Sequence, residues 1–531
     1  MPALSKLSSL VVDAGIWMNT GRPEWNDANN ALVGNGVSMV TLCYLRRYLA
    51  FCKSLFEAHK GSVEVSIEVA EWLAGIVRVL ERHRAILEAP AVSDEDRRTL
   101  LDELGSAFSD YRDKVYRSGF SGSQSLEMAA AVRLCDVAMP YLDHSIRANR
   151  RDDGLYHSYN LVDLRDSATA PISPLYEMLE GQVAVLSAGV LSPTEVSDLI
   201  GALFDSRTYR PGEGTFMLYP ERSLPGFLEK NVVSKEEVHG NPLLQRLLDS
   251  RDERIVLRDA AGKYRFAPSL HNAMALKLEL DALTCEPCLA DLVRDHRKST
   301  MDSYESVFNH RFFTGRSGAM YAYEGLGSIY WHMVSKLLVA VQESFFHAAR
   351  SGASKSELKE IADGYYRIRS GMGFNKTPQE FGAFPPDPYS HTPSGRGAKQ
   401  PGMTGQSKED ILSRWMEFGV FSLGGRIEFR PAMLRTADFL SESRSWEVRG
   451  IDGDSQVLVL PKDSLGFTIC GVPVIYQLGK AGPQTVVETF EGTEEIAEGV
   501  ELSVPASRSI FARSGTIKQI TVSLTVRELF Q

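Results

Sequence analysis

The spacing of apolar residues along the chain predicts a mainly helical protein. From Ser38 onward apolar residues recur at intervals of three and four, which places them on one face of a helix, and Ser is a favoured N-cap residue. The same spacing recurs in further segments, which are 64–90, 97–117, 123–148, 176–205, 268–283, 289–309, 328–350, 355–369 and 406–418. Almost no strand pattern separates them, so we predict one helical domain over residues 1–425, arranged as a toroid or a bundle.

After about residue 425 the pattern changes to short alternating runs. Ile520, Val522, Leu524 and Val526 share one face at a period of two, which is typical of a half-buried strand. We therefore predict a small C-terminal antiparallel β-domain, a β-sandwich, over residues 426–531.

Several connections between the predicted helices are long and rich in aromatic, Gly, Pro and His residues. They are 152–166, 209–227, 310–327 and 371–405. Long structured connections are uncommon unless they serve a function, so we expect the functional residues there.

Composition and charge exclude some classes of partner. With 58 basic and 68 acidic residues the net charge is -10, which argues against nucleic acid and against an anionic membrane surface. The N-terminus lacks the pattern of a signal peptide, and no apolar run is long enough to span a bilayer. We therefore expect a soluble, cytoplasmic protein.

Cysteine usage indicates reduced residues rather than a disulfide framework. Four of the six cysteines are isolated in apolar surroundings. Cys285 and Cys288 have the spacing of a zinc or redox site, but no second pair nearby completes four ligands. We therefore predict neither a metal nor a cofactor.

Segment 21–36, "GRPEWNDANNALVGNG", combines residue types that bind sugars with two candidate acids. The face of Trp25 can stack on a pyranose while Glu24, Asn26 and Asp27 bind hydroxyls. A carboxyl beside an indole also tends to have a raised pKa, as a general acid requires. From the residues alone, a polar turn that caps the following helix is the favoured interpretation.

Segment 387–405, "DPYSHTPSGRGAKQPGMTG", combines His, Arg, Lys and several Gly with a Thr-Gly that opens a helix. Backbone N–H groups and a hydroxyl can converge on an anion in such a segment. A solvated Gly/Pro-rich connector explains the same composition equally well. His157 and His332, each in mostly apolar surroundings, are expected to be packing residues.

The two segments together resemble the inverting glycoside phosphorylases typified by cellobiose and chitobiose phosphorylase, of the six-hairpin glycosidase-like superfamily. Those enzymes contain an Asp-Trp-Asn-Asp-Gly turn before a helix, and this chain has "EWNDANN", with Glu24 for the first Asp and Ala28 for the Gly. They also contain, much later, a Tyr-Ser-Gln segment and a Thr-Gly that opens a helix. "PYSHTPSGRGAKQPGMTGQ" is similar to it, with His391 in place of the Gln.

The resemblance implies an (α/α)6 barrel and a residue-by-residue assignment. Asp27 matches the general acid that protonates the glycosidic oxygen. The implied substrate-binding residues are Glu24, Trp25, Asn26 and Tyr389. The implied phosphate-binding residues are Ser390, His391, Lys399, Thr404 and Gly405.

The chemistry of phosphorolysis is compatible with one acid and one anion site. An inverting hydrolase needs a second carboxylate roughly 6.5–9.5 Å from the acid to activate water, whereas inorganic phosphate is already an anionic nucleophile. We expect a phosphorylase of β-linked gluco-oligosaccharides. Two alternatives stay open. One is an inverting hydrolase, with its base among Glu177, Glu180, Glu380 and Asp387. The other is a non-catalytic glycan-binding or partner subunit.

The position of segment 21–36 in the chain differs from the family pattern. The family places a β-sandwich and part of its barrel before the acid turn, so we expect the C-terminal part of a longer enzyme, a split-gene product, or a barrel completed in another way. The expected partners are an oligosaccharide, phosphate, and either further copies of this chain or a second chain that completes the barrel. The wide separation of Asp27 and Thr404 predicts insertions within 150–270.

Overall fold

The structure of the chain is a computed structural model. It describes residues 1–19, 32, 34–59, 61–220, 226–308, 328–373, 376–377, 391–393, 407–480, 482–492 and 494–530. About half of these described residues are helical. The α-helices in these ranges are α1 (Pro2–Leu7), α2 (Met39–Ala58), α3 (Ile67–Arg82), α4 (Asp94–Ser118), α5 (Met128–Ala148), α6 (Leu179–Ala188), α7 (Pro193–Asp205), α8 (Phe227–Lys230), α9 (Lys235–His239), α10 (Pro242–Asp249), α11 (Ala273–Thr284), α12 (Ala290–Phe308), α13 (Trp331–Arg350), α14 (Lys355–Ser370), α15 (Ser407–Glu417) and α16 (Val504–Phe511).

The strands are short, and most of them belong to small antiparallel sheets. They are β1 (Leu10–Val11), β2 (Gly15–Trp17), β3 (Gly36–Ser38), β4 (Ser62–Ser66), β5 (Ser123–Glu127), β6 (Tyr159–Val162), β7 (Ile172–Pro174), β8 (Tyr209–Arg210), β9 (Thr215–Phe216), β10 (Val256–Arg258), β11 (Tyr264–Phe266), β12 (Ser328–Tyr330), β13 (His391–Pro393), β14 (Val420–Leu423), β15 (Arg426–Phe429), β16 (Arg444–Arg449), β17 (Ser455–Leu460), β18 (Ser464–Ile469), β19 (Val472–Leu478), β20 (Gln484–Thr489), β21 (Glu494–Glu498) and β22 (Ile517–Leu524).

The predicted mainly helical chain with a strand-rich C-terminal end is confirmed. The single helix predicted over 176–205 is wrong in one respect, because α6 ends at Ala188 and α7 begins at Pro193. Gly189 between them has φ 70°, and Ser192 caps α7 with a complete capping box. The toroid arrangement and the division at residue 425 stay predictions.

The described chain forms two compact units, which are Met1–Ala188 with Met217–Ser328 and Gly189–Phe216 with Ile329–Gln531. In the first unit a five-stranded sheet has the order β1-β2-β3-β6-β7. Its strands are antiparallel, with Ile16 opposite Ser38 and Val37 opposite Asn160. The sequence pattern did not predict this sheet, because β6 is buried at all four positions and so shows no alternation.

A buried polar network holds the turn between β1 and β2. Asp13, in this turn, has φ 64° and is only 4% exposed. Its Oδ2 accepts from the backbone N–H of Val92 at 2.7 Å, and its Oδ1 lies 2.8 Å from Nδ1 of His144. Asn149 Nδ2 donates to the Asp13 carbonyl at 2.7 Å. Every polar atom named here has a partner, so the turn that starts β2 is fixed from three directions.

The part of the first unit from residue 226 to residue 308 has a hydrophobic core of its own. Its largest fully buried side chains include Phe266 and Tyr304. Asn231 completes this core by exchanging two side-chain hydrogen bonds with the backbone of Phe266, each 2.9 Å long. Asn241 caps α10 by accepting from the N–H groups of Leu243 and Leu244.

In the second unit α7, α13, α14 and α15 pack together. Gly364 allows α14 to approach α7 closely, because a Cβ at this position would lie 3.0 Å from Cγ2 of Ile200. The guanidinium of Arg367 lies 3.5 Å from the centroid of the Phe204 ring. A cation over an aromatic face stabilises this helix pair in addition to its apolar contacts.

The C-terminal sheet has the order β18-β19-β22-β20-β21. The prediction of a purely antiparallel β-domain is wrong for one pair, because β19 and β22 run parallel. The long connection through β20, β21 and α16 makes this possible. Ile520, Val522 and Leu524 are buried as predicted, whereas Val526 lies beyond the strand and is 42% exposed.

Candidate functional site

Most residues of the predicted site lie outside the described residues. This holds for Glu24, Trp25, Asn26 and Asp27, and for Tyr389, Ser390, Lys399, Thr404 and Gly405. His391 lies in β13, where the structure describes the backbone only. The structure does describe the residues that flank both segments.

The two ends of segment 21–36 are joined by hydrogen bonds between described residues. The N–H of Met18 donates to the carbonyl of Gly36 at 2.9 Å, and the N–H of Gly34 donates back to the carbonyl of Met18 at 2.7 Å. The indole Nε1 of Trp17 donates to the carbonyl of Gly34 at 2.9 Å. The chain therefore leaves β2 and enters β3 at adjacent points.

Strand β6 lies directly beside the strand that follows segment 21–36. Tyr159 is opposite Ser38, and the N–H of Met39 donates to the carbonyl of Ser158 at 3.0 Å. On the other side Gly15 approaches Ser38 so closely that a Cβ would lie 2.6 Å from the Ser38 carbonyl carbon. Residues near 158 are thus placed next to the start of α2, a relation that the sequence alone did not indicate.

We give the name β6 polar cluster to five polar side chains at and before the start of β6 and around the start of α6. They are Arg151, His157, Tyr159, Glu177 and Glu180. Nη2 of Arg151 lies 3.3 Å from Oε2 of Glu177, which is only 3% exposed. The hydroxyl of Tyr159 donates to Oε2 of Glu180 at 3.0 Å. Two of the four carboxylates proposed as a hydrolase base therefore already have partners, whereas Glu380 and Asp387 lie outside the described residues.

Burial lowers the pKa of His157, with a smaller opposing contribution from its hydrogen bond to the backbone of Leu175. Its Nδ1 lies 3.0 Å from the Leu175 carbonyl oxygen. Because a carbonyl only accepts, Nδ1 holds the proton of the neutral ring and Nε2 is left as an acceptor. His157 is thus a half-buried, neutral imidazole with a fixed orientation.

The flank of segment 387–405 is the first turn of α15, which begins at Ser407. Glu409 in this turn is 6% exposed, and its Oε1 lies 3.1 Å from Nε2 of His332. His332 belongs to the first turn of α13, and burial lowers its pKa, opposed in part by Glu409. We expected His332 to be a packing residue, and its contact with the helix that follows the Thr-Gly was missed. The available signal was its place at the start of a helix after a long connection.

Further contacts fix α15 along its length. Ser335 donates to Oδ1 of Asp410 at 2.8 Å, and Gln342 donates to the Ser413 carbonyl at 2.9 Å. At the other end of the helix the buried carboxylate of Glu417 accepts from Tyr365, and it lies 2.7 Å from Nε of Arg369. Burial, followed by the nearby Glu417 charge, raises the pKa of Tyr365 well above its usual value. The N-terminus of α15 therefore has a fixed position relative to α13 and α14.

The start of α15 can bind an anion by a general property of helices. The first backbone N–H groups of a helix have no intrahelical partner, and the helix dipole favours negative charge near them. Both carboxylates of the first turn, Glu409 and Asp410, are engaged by side chains of α13.

In the described ranges no group of three or more His, Cys, Asp or Glu side chains is arranged to hold a metal ion. Nor does any helix in these ranges have the length and apolarity needed to cross a membrane.

A comparison with protein families identifies part of the first unit. Residues 224–311 match the family model described as GH149 phosphorylase insertion domain 2. The match covers the separate hydrophobic core at 226–308, and it begins inside the region where we predicted insertions. It supports a glycoside phosphorylase-type family and points to a carbohydrate-active enzyme. Among curated proteins, none matches this chain.

Proposed function

We propose that this chain is an inverting glycoside phosphorylase that cleaves β-linked gluco-oligosaccharides with inorganic phosphate. Asp27 would protonate the glycosidic oxygen while phosphate attacks the anomeric carbon from the opposite face, which yields a sugar 1-phosphate. The observation that supports this most directly is the match of residues 224–311 to a phosphorylase insertion domain. The order of segments 21–36 and 387–405, each placed before a helix, supports it independently.

The described residues around α15 are compatible with a phosphate site at Thr404 and Gly405. These two residues precede Ser407, where the helix begins, so phosphate bound to them would lie near its N-terminal N–H groups. His332 contacts Glu409, which lies in the first turn of the same helix, α15. In our proposal this pair positions the start of α15 and the segment before it. Ser390, His391 and Lys399 are proposed as further phosphate ligands.

Segment 21–36 is proposed to bind the sugar beside the general acid. Glu24, Trp25 and Asn26 would bind its hydroxyls and its apolar face, with Tyr389 from the second segment. The hydrogen bonds between Met18 and Gly36, and the pairing of β3 with β6, would hold this segment in place. An inverting phosphorylase needs one acid, so the β6 polar cluster is assigned a supporting role.

A substrate screen with and without phosphate tests this function. The full chain is incubated with β-linked gluco-oligosaccharides and disaccharides, and both sugar 1-phosphate and free reducing sugar are measured. Sugar 1-phosphate that forms only when phosphate is present is the expected result. Equal release of reducing sugar in phosphate-free buffer would assign the chain to the hydrolases instead.

An exposed apolar stripe on α2 favours a second candidate, a subunit that is active only with another chain. Tyr48, Phe51 and Leu55 are 48%, 63% and 53% exposed and lie on one face of the helix. Exposed apolar side chains in a continuous stripe are typical of a protein interface. We propose that a further copy, or a second chain, packs on this face.

Native mass measurement tests the pairing. The Phe51→Glu variant should lose its partner, because a buried charge in an apolar interface is strongly unfavourable. Leu278→Glu is a matched control, since Leu278 is also 63% exposed but lies on α11. A wild-type chain that is monomeric, inert with every sugar, and still inert with the product of a neighbouring gene would exclude this second candidate.

A further inference from the structure

Two cysteines of the 226–308 region differ from the other cysteines of the chain in their exposure. Cys285 and Cys288 are exposed, whereas the other four are buried or half-buried. Both lie in the connection between α11 and α12. Their thiols are therefore accessible to small reagents, and the sequence places them three positions apart.

The connection that contains the two cysteines is a tight, hydrogen-bonded turn. Cys285 caps α11, with its N–H donating to the Ala282 carbonyl at 3.1 Å. The Glu286 carbonyl then accepts from the N–H groups of Leu289 and Ala290, each at 2.9 Å. Cys285 thus ends one hydrogen-bonded turn, 282–285, and Cys288 lies inside the next, 286–289, so both belong to one short, ordered connection.

Buried residues on both sides hold this turn in position. Leu283 before it is fully buried, and Leu289 after it is 5% exposed, both in the core of the region. Oε1 of Glu286 lies 2.7 Å from Nη1 of Arg254, whose Nη2 in turn lies 2.6 Å from Oδ2 of Asp252. The turn therefore holds two exposed cysteines on a fixed backbone, with Sγ of Cys285 lying 3.7 Å from the Asp281 carbonyl oxygen.

We propose that Cys285 and Cys288 form a redox-active dithiol that low-molecular-weight disulfides oxidise to an intrachain disulfide. One thiolate attacks a sulfur of glutathione disulfide and displaces one glutathione, which gives a mixed disulfide. The second thiolate then attacks the protein sulfur of this mixed disulfide and displaces the other glutathione. Two thiol protons and two electrons leave the protein, and two glutathione thiols form. Unlike a metal site, which needs further ligands, this reaction needs only the two thiols of the Cys-x-x-Cys motif.

The test uses the full chain equilibrated with glutathione and glutathione disulfide at several ratios. Samples are quenched by alkylation under denaturing conditions and analysed by intact mass and peptide mapping. The expected result is the loss of two alkylatable thiols at oxidising ratios, with the peptide that contains Cys285 and Cys288 lighter by two hydrogen atoms. Excess dithiothreitol should restore both thiols.

Two variants distinguish an intrachain disulfide from other reactions. In Cys288→Ser, Cys285 should take up one glutathione and no intrachain disulfide should form. In Cys470→Ser, the loss of two thiols should persist, since Cys470 lies in the C-terminal sheet region.

Three results would overturn the proposal. They are two thiols that stay alkylatable at every ratio, two separate glutathione adducts in the wild-type chain, and a disulfide between two chains. A fourth result would reassign the pair to metal binding. In that case the reduced chain would retain stoichiometric Zn²⁺ after gel filtration, and the Cys288→Ser variant would not. None of these measurements depends on the proposed activity.

Discussion

Nε2 of His332 lies 3.1 Å from Oε1 of Glu409, so the first turn of α13 meets the first turn of α15 through an imidazole and a carboxylate. Both side chains are largely buried, at 12% and 7% exposure. The contact orients the helix N-terminus that directly follows the proposed phosphate residues. Loss of this contact should therefore lower kcat/KM for phosphate more than kcat/KM for the oligosaccharide.

Glu409→Gln keeps the shape of the side chain and removes its charge. We expect kcat/KM for phosphate to fall about tenfold, which corresponds to about 1.4 kcal/mol, because the buried carboxylate that lies 3.1 Å from Nε2 of His332 loses its charge. Initial rates at varied phosphate and saturating oligosaccharide measure this. Glu360→Gln, at an exposed position of α14, is the matched control. An unchanged phosphate KM in a folded Glu409→Gln enzyme would remove this pair from the site.

Acidification should destabilise the fold through the half-buried imidazoles of His157 and His332. Burial lowers the pKa of His157 and of His332 from 6.5, the ordinary value that applies in the unfolded chain. Below this value the unfolded chain binds more protons than the native chain, so stability falls as the pH falls. The free energy of unfolding in urea should therefore decrease between about pH 7.5 and 5.5.

Variants assign this pH dependence to the two residues. His157→Gln and His332→Gln should each flatten the slope of stability against pH. His59→Gln, at an exposed position, should leave the slope as it is. A slope that survives removal of both buried imidazoles would mean that other groups cause it.

The helices could be predicted from the sequence because their apolar faces repeat over many residues. α2, α4 and α13 each show this repeat, and each begins and ends within three residues of the predicted bounds, whereas the first five residues of the helix predicted over 123–148 form β5. The sheet around β3 and β6 could not be predicted, since strands of three or four wholly buried residues have no alternation to recognise. The same limit applies to the site. The contact between His332 and Glu409 joins residues far apart in sequence, and no local spacing indicates it.

Gly15→Ala should disrupt the β2–β3 pair that joins the two ends of segment 21–36. Gly15 has φ 126°, and a Cβ there would lie 2.6 Å from the Ser38 carbonyl carbon, so both the backbone conformation and the space forbid alanine. We expect a loss of at least about 2 kcal/mol in urea unfolding, together with lower activity. Gly105→Ala is the control, because a Cβ on Gly105 meets nothing within 4 Å. Equal stability of the two variants would contradict the close approach of β2 to β3.

Asp27→Asn tests the general acid itself. Loss of a positioned acid costs about 10²–10⁴ in rate when the leaving group needs a proton, so phosphorolysis of a gluco-disaccharide should fall by this amount. A substrate with an acidic leaving group, such as 4-nitrophenyl β-glucoside, needs little protonation and should lose much less. The ratio of the two losses therefore reports the chemical role, which a merely structural defect would not produce.

Glu177→Gln is the control for the competing assignment of a hydrolytic base. Glu177 is buried against Arg151, so its variant should be less stable. It should keep the wild-type ratio of the rates on the two substrates, and its reaction should still need phosphate. If Glu177→Gln instead abolished turnover of both substrates while the chain stayed folded, Glu177 would be a catalytic group. The reaction would then need two carboxylates, as hydrolysis does, and phosphate would lose its role as the nucleophile.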